Sequence, residues 1–544
     1  MTEFPAFCAA ARTFWRCNTQ PPADPVVLVE AMTPDLRITL RNLATANAIR
    51  RIVPCRLIVL TGSDPDWDRL HMGDADPAQV EQLARAYGAD DMLDVHALAG
   101  RLTAGQPPAT FTVADRTFST SGPGSGIDPA VFDRTVAATA ARLLRTVRTD
   151  PTTGQYKAIW RRAEAFATIY EALCGELRPI ALVTGMVDYD RWGFAVDAAK
   201  RAGVPVLHVQ LTGTLKVYGH FSAGADPAAP VRAEHTKRLA EFFDEYVWPR
   251  REQLHRFAEL VSWRNKLNLG KPAWWRGGGA VSVVELTTPA ERAALRLHAM
   301  ERFGFNPDKP VVVVYNHALT DALGTNVEAF TDPVDWLEYT ARLAASRDDA
   351  NWLFLDHPYQ ADFDVSGTFD KIARQSGERA HLAFAKSMDL SRNMIWSLAD
   401  LGVTIRGSVG AELPAYGVGV VQAGWSEWSG IGFDSVARDP DHYRLLMEES
   451  LTALKAGRPV VSDEQVDKAR LWMWFYRSAT DVPSMFLQHW ELGVTDELFT
   501  VLRTTMEHVE PDSDPLFSSV RRMWERREPV LTRSDLTSSE EVAV

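Results

Sequence analysis

Short runs of β-branched residues recur along this chain, each followed by a stretch with helical spacing, and this alternation constrains the fold more than any other feature. The plainest case is IALVTGMV (180–187), then a helix over 191–202 that stops at Gly203, then VPVLHVQ (204–210). Two parallel strands need such a crossover between them. The pattern opens with VVLVEA (26–31), a helical stretch over 34–51 with Pro34 in its first turn, CRLIVLTG (55–62), a helix near 77–87 and the run MLDV (92–95). That order is the start of a parallel, doubly wound sheet. ATFTVADRTFST (109–120) alternates about Ala114-Asp115 and reads as a hairpin. Long helices near 130–147 and 156–177 follow, and in the second Ile159, Trp160, Ala163, Phe166, Tyr170, Leu173 and Leu177 recur at helical spacing as a core-facing stripe.

A second series begins at VVVVYNH (311–317), with an amphipathic helix over 333–346 and the strand WLFLDHP (352–358). A helix near 389–400, the strand GVTIRG (402–407), a helix opened by Ser408 and the strand VGVVQAG (418–424) continue it. The chain's 544 residues call for two or three domains. The expected division is 1–255 as an N-terminal Rossmann-like domain, 256–300 as a connection, 301–500 as a C-terminal Rossmann-like domain, and 501–544 as helices with a disordered tail. The fold class expected is α/β, two doubly wound domains facing across a cleft. In the connection, WRNKLNLGKPAWWRGGG (263–279) interleaves tryptophans with basic residues and reads as packing between domains, with a peripheral membrane contact as the alternative.

A net charge of −13 excludes a chain built to coat itself with nucleic acid, but leaves room for a local anion site. Four cysteines without paired metal spacing point to free thiols in a reducing compartment. No apolar run approaches the ~20 residues that span a bilayer, and the N-terminus lacks the layout of a signal peptide. The expected location is the cytoplasm, including the inner face of the membrane.

Candidate site residues gather where strands end. In TIRGSVGAELPAYGVGVVQAG (404–424), a strand ends at Arg406 and turns at Gly407. Ser408 is placed to cap the next helix, whose N–H groups at Val409 and Gly410 would receive a phosphate. Gly407 and Gly410 leave room for close approach, and Glu412, one turn in, would reach sugar hydroxyls or stand as an exposed helix glutamate. His357 lies at the end of strand 352–356, stopped by Pro358, and His317 ends strand 311–316. In the first half, Asp188 and Asp190 follow a strand and are either general bases or caps of the 191–202 helix.

The order of these elements resembles bacterial capsule and surface-polysaccharide biosynthesis proteins of the GT-B glycosyltransferase type, including those that use a CMP-activated ulosonic sugar. In that family a strand-ending His-Pro and a later Ser-Ser/Gly-x-x-x-Glu helix bind the donor nucleotide. His357-Pro358 matches the first, and Ser408 with Glu412 the second. GWSEWSGIGF (424–433), RFGFNPDKPVVVVYNH (302–317) and the ARAYGADDMLDV stretch are similar as well. Asp356 stands where a basic residue often precedes His-Pro, Gly407 takes one serine position, Pro414 interrupts the helix, and Gly417-Val418-Gly419 replaces Gly-x-Pro. These departures leave nucleotide choice and catalytic competence open.

The resemblance implies a glycosyltransferase with the donor in the C-terminal domain and the acceptor at the N-terminal one. His357 and Asp188 or Asp190 would be catalytic. Arg406, Ser408, Val409, Gly410, Glu412 and His317 would hold the donor. The partners implied are a nucleotide-sugar donor and a glycan or glycolipid acceptor, with a peripheral membrane or polysaccharide-assembly complex and no nucleic acid. No metal and no cofactor beyond the nucleotide-sugar substrate is expected. A CDP-glycerol-type polyol-phosphate transferase, a nucleotide-sugar epimerase on the same fold and a non-catalytic scaffold are the alternatives.

Overall fold

The computed structural model describes residues 2–16, 25–33, 35–71, 76–104, 110–120, 126–210, 215–221, 226, 228–255, 288–324, 326–487 and 492–538. Pro34, Cys17 and the tryptophan-rich stretch 263–279 lie outside them. The chain divides into two compact units: Met1–Leu143, Asp150–Ala229 and Ala479–Val544 form the first, and Leu144–Thr149 with Pro230–Ser478 form the second.

The first unit holds β1 (Val26–Glu30), β2 (Arg56–Thr61), β3 (Asp91–Asp94), the hairpin β4 (Thr110–Val113) and β5 (Arg116–Ser119), then β6 (Ala181–Thr184), β7 (Val206–Val209) and β8 (Val217–His220). Its main sheet runs β3-β2-β1-β6-β7-β8, parallel except at the β7–β8 edge. The hairpin turns at Ala114 and Asp115, both at positive φ (54° and 59°), as a tight turn matched to strand twist requires.

Both faces of a parallel sheet must be covered, so its strands are buried almost throughout. On the helix Gly154–Leu177 the expected stripe is buried except at Trp160, which is next to Ile159 on the helix and turns to solvent. One face of the sheet packs on Phe7 from the N-terminal helix Phe4–Arg16 and on Phe499, Leu516 and Met523 from the C-terminal helices. This burial, with reciprocal backbone hydrogen bonds between Leu215 and Val482, returns the end of the chain to the first unit. The tail is likewise folded as far as Ser538, in contrast to the disorder expected of it. Leu536 is buried and Asp535 accepts from Arg526 at 2.8 Å. Cys8, Cys55 and Cys174 are free and buried, and burial pushes their thiols up, to about 11, 12 and 12.

The second unit repeats the design with β9 (Val311–Tyr315), β10 (Asn351–Leu355), β11 (Leu382–Ala385), β12 (Leu401–Thr404), β13 (Gly419–Gln422) and β14 (Ser435–Val436). Their order, β11-β10-β9-β12-β13-β14, is fully parallel. In both sheets the first strand lies at the centre and the order reverses there. Such a reversal opens a crevice beyond the strands' C-terminal ends, the usual ligand position in doubly wound sheets. The expected fold class is therefore found, with two Rossmann-like α/β units. Among the described residues, no helix is long and apolar enough to cross a membrane.

Candidate functional site

Strand register assembles the second unit's site. Tyr315 of β9 is level with Leu355 of β10 and with Thr404 of β12. Two residues further along each strand exit stand His317, His357 and Arg406, so three separate segments deliver these side chains to one sheet edge. The imidazoles of His317 and His357 are 6.3 Å apart between centroids.

Their backbone partners fix opposite tautomers. His317 Nδ1 lies 3.0 Å from the Ala318 carbonyl, which only accepts, so Nδ1 carries the proton and the neutral ring's Nε2 keeps a lone pair. His357 Nδ1 accepts the Tyr359 N–H at 3.2 Å, so the neutral ring is protonated at Nε2. No described residue meets either Nε2. Burial pushes His317 down to about 3, helped by the Arg406 guanidinium, and pushes His357 down to about 4. Both rings are therefore neutral at physiological pH, one offering an acceptor and the other a donor.

Arg406 reaches the same edge but is committed to protein. It donates to the carbonyls of Asp321 and Ala322, each at 2.8 Å, and its Nε stands 3.3 Å from Glu328. These bonds pin the loop after β9, where Ala322 sits at a φ of 47°. Arg406 is thus a clamp on the His317 loop rather than a cation held for a ligand.

The turn after β12 differs from expectation. Gly407 N–H is taken by Thr404 Oγ1 at 3.0 Å, and Gly410 N–H by the Gly407 carbonyl at 2.9 Å. Helical winding therefore starts before Ser408, which has helical dihedrals (φ −56°, ψ −18°) and makes no side-chain cap. The helix Val409–Ala415 has only 7 residues and ends just past its internal Pro414. Of the two backbone donors expected to receive phosphate, Gly410's is spent.

The two glycines likewise serve packing. A side chain at Gly407 would meet Thr404 Oγ1 at 2.8 Å, and one at Gly410 would strike Gln422 Oε1 and Trp428 Nε1. Trp428 donates to Gln422 at 3.0 Å, and Gln422 donates in turn to Asp434, whose carboxyl burial pushes up to about 7. Glu412 neither reaches out nor lies exposed. It is 3% exposed, with its Oε2 3.5 Å from Arg392 Nη1. Asp356 also turns away from the edge, accepting from the N–H and hydroxyl of Ser387.

The first unit presents a different edge. Glu30, ending β1, accepts from the N–H groups of Met32, Thr33 and Gly185 and from Asn42, and so ties the β1 and β6 exits together. Beyond β6, Tyr189 holds a φ of 67° at the start of the π-helix Tyr189–Gly193. A bulky residue in that region and a π-turn both cost energy, and such strain collects at functional sites. Asp188 is buried and makes no side-chain cap. Asp190 has no exposure, and Arg162 holds it through Nε at 2.9 Å and Nη2 at 2.7 Å. Asp190 Oδ1 also accepts the Arg191 N–H at 2.8 Å. Neither aspartate caps the next helix, and Asp190 is too fully paired to take a substrate proton.

Arg162 continues to Asp64 at 2.8 Å, and His96 Nδ1 lies 3.9 Å from that carboxylate. Burial would lower Arg162, but Asp190 and Asp64 outweigh it and raise it, while burial pushes His96 down to about 3. Arg191 is fully buried beneath them, 4.0 Å over the Trp192 ring, and donates to the Met32 carbonyl. Sequence reasoning missed Asp64, His96, Arg162 and Arg191. Asp64, just past β2, and His96, just past β3, carried the strand-end signal that marked Asp188; Arg162 and Arg191 did not.

The fold and both edges define a class: a two-unit, doubly wound α/β protein with polar groups built at both switch points. No family model matches the chain, and no curated protein matches it. Among solved structures, a putative UDP-N-acetylglucosamine 2-epimerase from Listeria monocytogenes is 12% identical, covering 82% of this chain and 91% of its own at a TM-score of 0.27. Thermosulfurimonas dismutans KpsC, a beta Kdo 2,7 transferase, is 13% identical over 68% of this chain and 94% of its own, with a TM-score of 0.31. Trehalose-6-phosphate from E. coli bound with UDP-2-fluoro glucose gives 12%, 87%, 78% and 0.29 in the same order. TM-scores this low carry no inference about activity or ligand.

Proposed function

We propose that the chain is a glycosyltransferase. It would take a sugar from a nucleotide-sugar donor, CMP-activated sugars foremost, and pass it to a bacterial surface-polysaccharide or glycolipid acceptor. The observation that carries this reading is the side-by-side pair His317 and His357, whose Nε2 atoms no described residue meets, at the order reversal of a fully parallel sheet. The motif resemblance at His357-Pro358 and Ser408-x-x-x-Glu412 supports it. His357 Nε2–H is suited to donate to the leaving phosphate, where negative charge develops. The Ser408 hydroxyl, which has no partner among the described residues, supplies a second donor. Glu412 keeps only a supporting role, under the donor loop. Asp188 is retained as the proposed acceptor-side base, and Asp190 is not.

A non-catalytic, scaffold reading has one specific observation behind it: Ser408 caps nothing, and Glu412 is turned onto Arg392. Incubation with CMP-sugars, UDP-sugars and CDP-glycerol, with and without glycan acceptors, separates the two. Acceptor-dependent release of nucleotide supports the transferase. Absence of turnover and of binding with every donor favours the scaffold.

A further inference from the structure

The two histidines differ in what they ask of a ligand. His357 offers an N–H and His317 a lone pair, because each ring's Nδ1 is tied to backbone in the opposite sense. A doubly ionised phosphate monoester has only acceptor oxygens. It satisfies His357 but sets a lone pair against the lone pair of His317. Resting on the nucleotide reading above, we propose that His317 and His357 bind a phosphate monoester together with one proton, lodged between His317 Nε2 and a phosphate oxygen. The proton comes from solvent, and no covalent bond to phosphorus or carbon forms or breaks.

The surroundings favour this coupling. Burial and Arg406 keep His317 neutral in the free protein, His357 adds to them, and Asp321 opposes them. Among the described residues, Asp321 is also the charge that opposes burial at His357, whose ring otherwise stands against Tyr359 and Phe363. Arg406 is itself offset by Glu328. A dianion placed here supplies the negative charge that Asp321 provides only in part, and draws in the proton. A sugar donor linked through its phosphate also presents only acceptor oxygens, but with one charge fewer there it draws the proton in less strongly. The released nucleoside monophosphate draws it in more strongly. The pair thus distinguishes product from donor, and product is held less firmly as pH rises.

The test is calorimetric titration of the full chain with CMP, UMP, inorganic phosphate and cytidine between pH 6.5 and 8.5, in two buffers of different ionisation enthalpy. The expected result is uptake of about one proton per nucleotide at pH 7.5, with affinity falling about tenfold per pH unit above the phosphate's own pKa of about 6. Inorganic phosphate shows the same uptake if the phosphate alone is read, and cytidine shows none. His317→Gln supplies an N–H without a proton, so it retains binding and loses the uptake. Nucleotide binding without proton uptake in the wild-type protein overturns this proposal and leaves the nucleotide reading standing. Uptake retained in His317→Gln overturns the proposal too. If neither nucleotides nor phosphate bind at any pH, the nucleotide reading and the proposal fall together.

Discussion

Arg162 grips Asp190 with two nitrogens, at 2.9 and 2.7 Å, around a carboxylate that has no exposure to solvent. Breaking such a pair from the cationic side leaves a buried charge uncompensated. Arg162→Met should therefore cost about 3–5 kcal/mol of stability. Asp190→Asn should cost less, because Arg162 keeps Asp64 and is partly exposed. Denaturant unfolding of the two variants checks this order, and equal losses would mean that the pair does not organise the β6 exit.

The Gly410 position is a packing constraint. Alanine gains about 1 kcal/mol over glycine inside a helix. Here its methyl would strike Gln422 and Trp428, and overpacking costs about 1–3 kcal/mol or more. Gly410→Ala should therefore be destabilising on balance, with a thermal midpoint below that of the wild type. A midpoint at or above wild type would show that Gln422 gives way freely.

Asp434 sets a pH dependence with an unusual sign. Burial pushes its folded carboxyl up to about 7, against an ordinary value of 3.8. Above pH 4 the unfolded chain loses this proton while the folded chain keeps it. The group's contribution is therefore full below about pH 4 and is lost as pH rises toward 7, at about 1.4 kcal/mol per unit. Asp434→Asn removes that slope. Unfolding free energies from pH 4 to 8 should show the variant gaining on the wild type up to pH 7 and running parallel beyond it. Parallel curves throughout would contradict the assignment.

Ser408→Ala should leave stability within about 0.5 kcal/mol of wild type. A capping serine would instead cost about 1 kcal/mol. Chemical denaturation distinguishes the two.

Most of both sheets was legible in the chain because those parallel strands are short apolar runs followed by a crossover helix, whereas the edge strands β8, β11 and β14 were too short or too mixed to stand out. Strands ending near 30, 61, 184, 209, 315, 355, 404 and 422 all emerge from that pattern. The hairpin at Ala114-Asp115 was legible from its alternation about the turn, which is equally local. His317 and His357 could be placed at an edge, but their pairing depends on register between strands some 40 residues apart in sequence, which no local pattern contains. Ser408 misled because capping is decided by backbone angle: Thr404 and Gly407 start the helical winding one turn early. Arg162 sits mid-helix among other charged residues, and only folding brings it to Asp64 and Asp190. The return of residues 479–538 to the first unit was hidden in the same way, since it rests on long-range burial of Phe499, Leu516 and Met523.

The central claim is that the His317–His357 edge holds the nucleotide. Thermal unfolding of the wild-type protein and of His357→Ala, each with CMP, UMP and their sugar-linked forms, tests it most directly. A ligand present at 100 times its Kd adds about 2.7 kcal/mol of apparent stability. At least one nucleotide should raise the wild-type midpoint, and the rise should shrink or vanish in His357→Ala. A panel with no response, or a rise unchanged by the substitution, would contradict it.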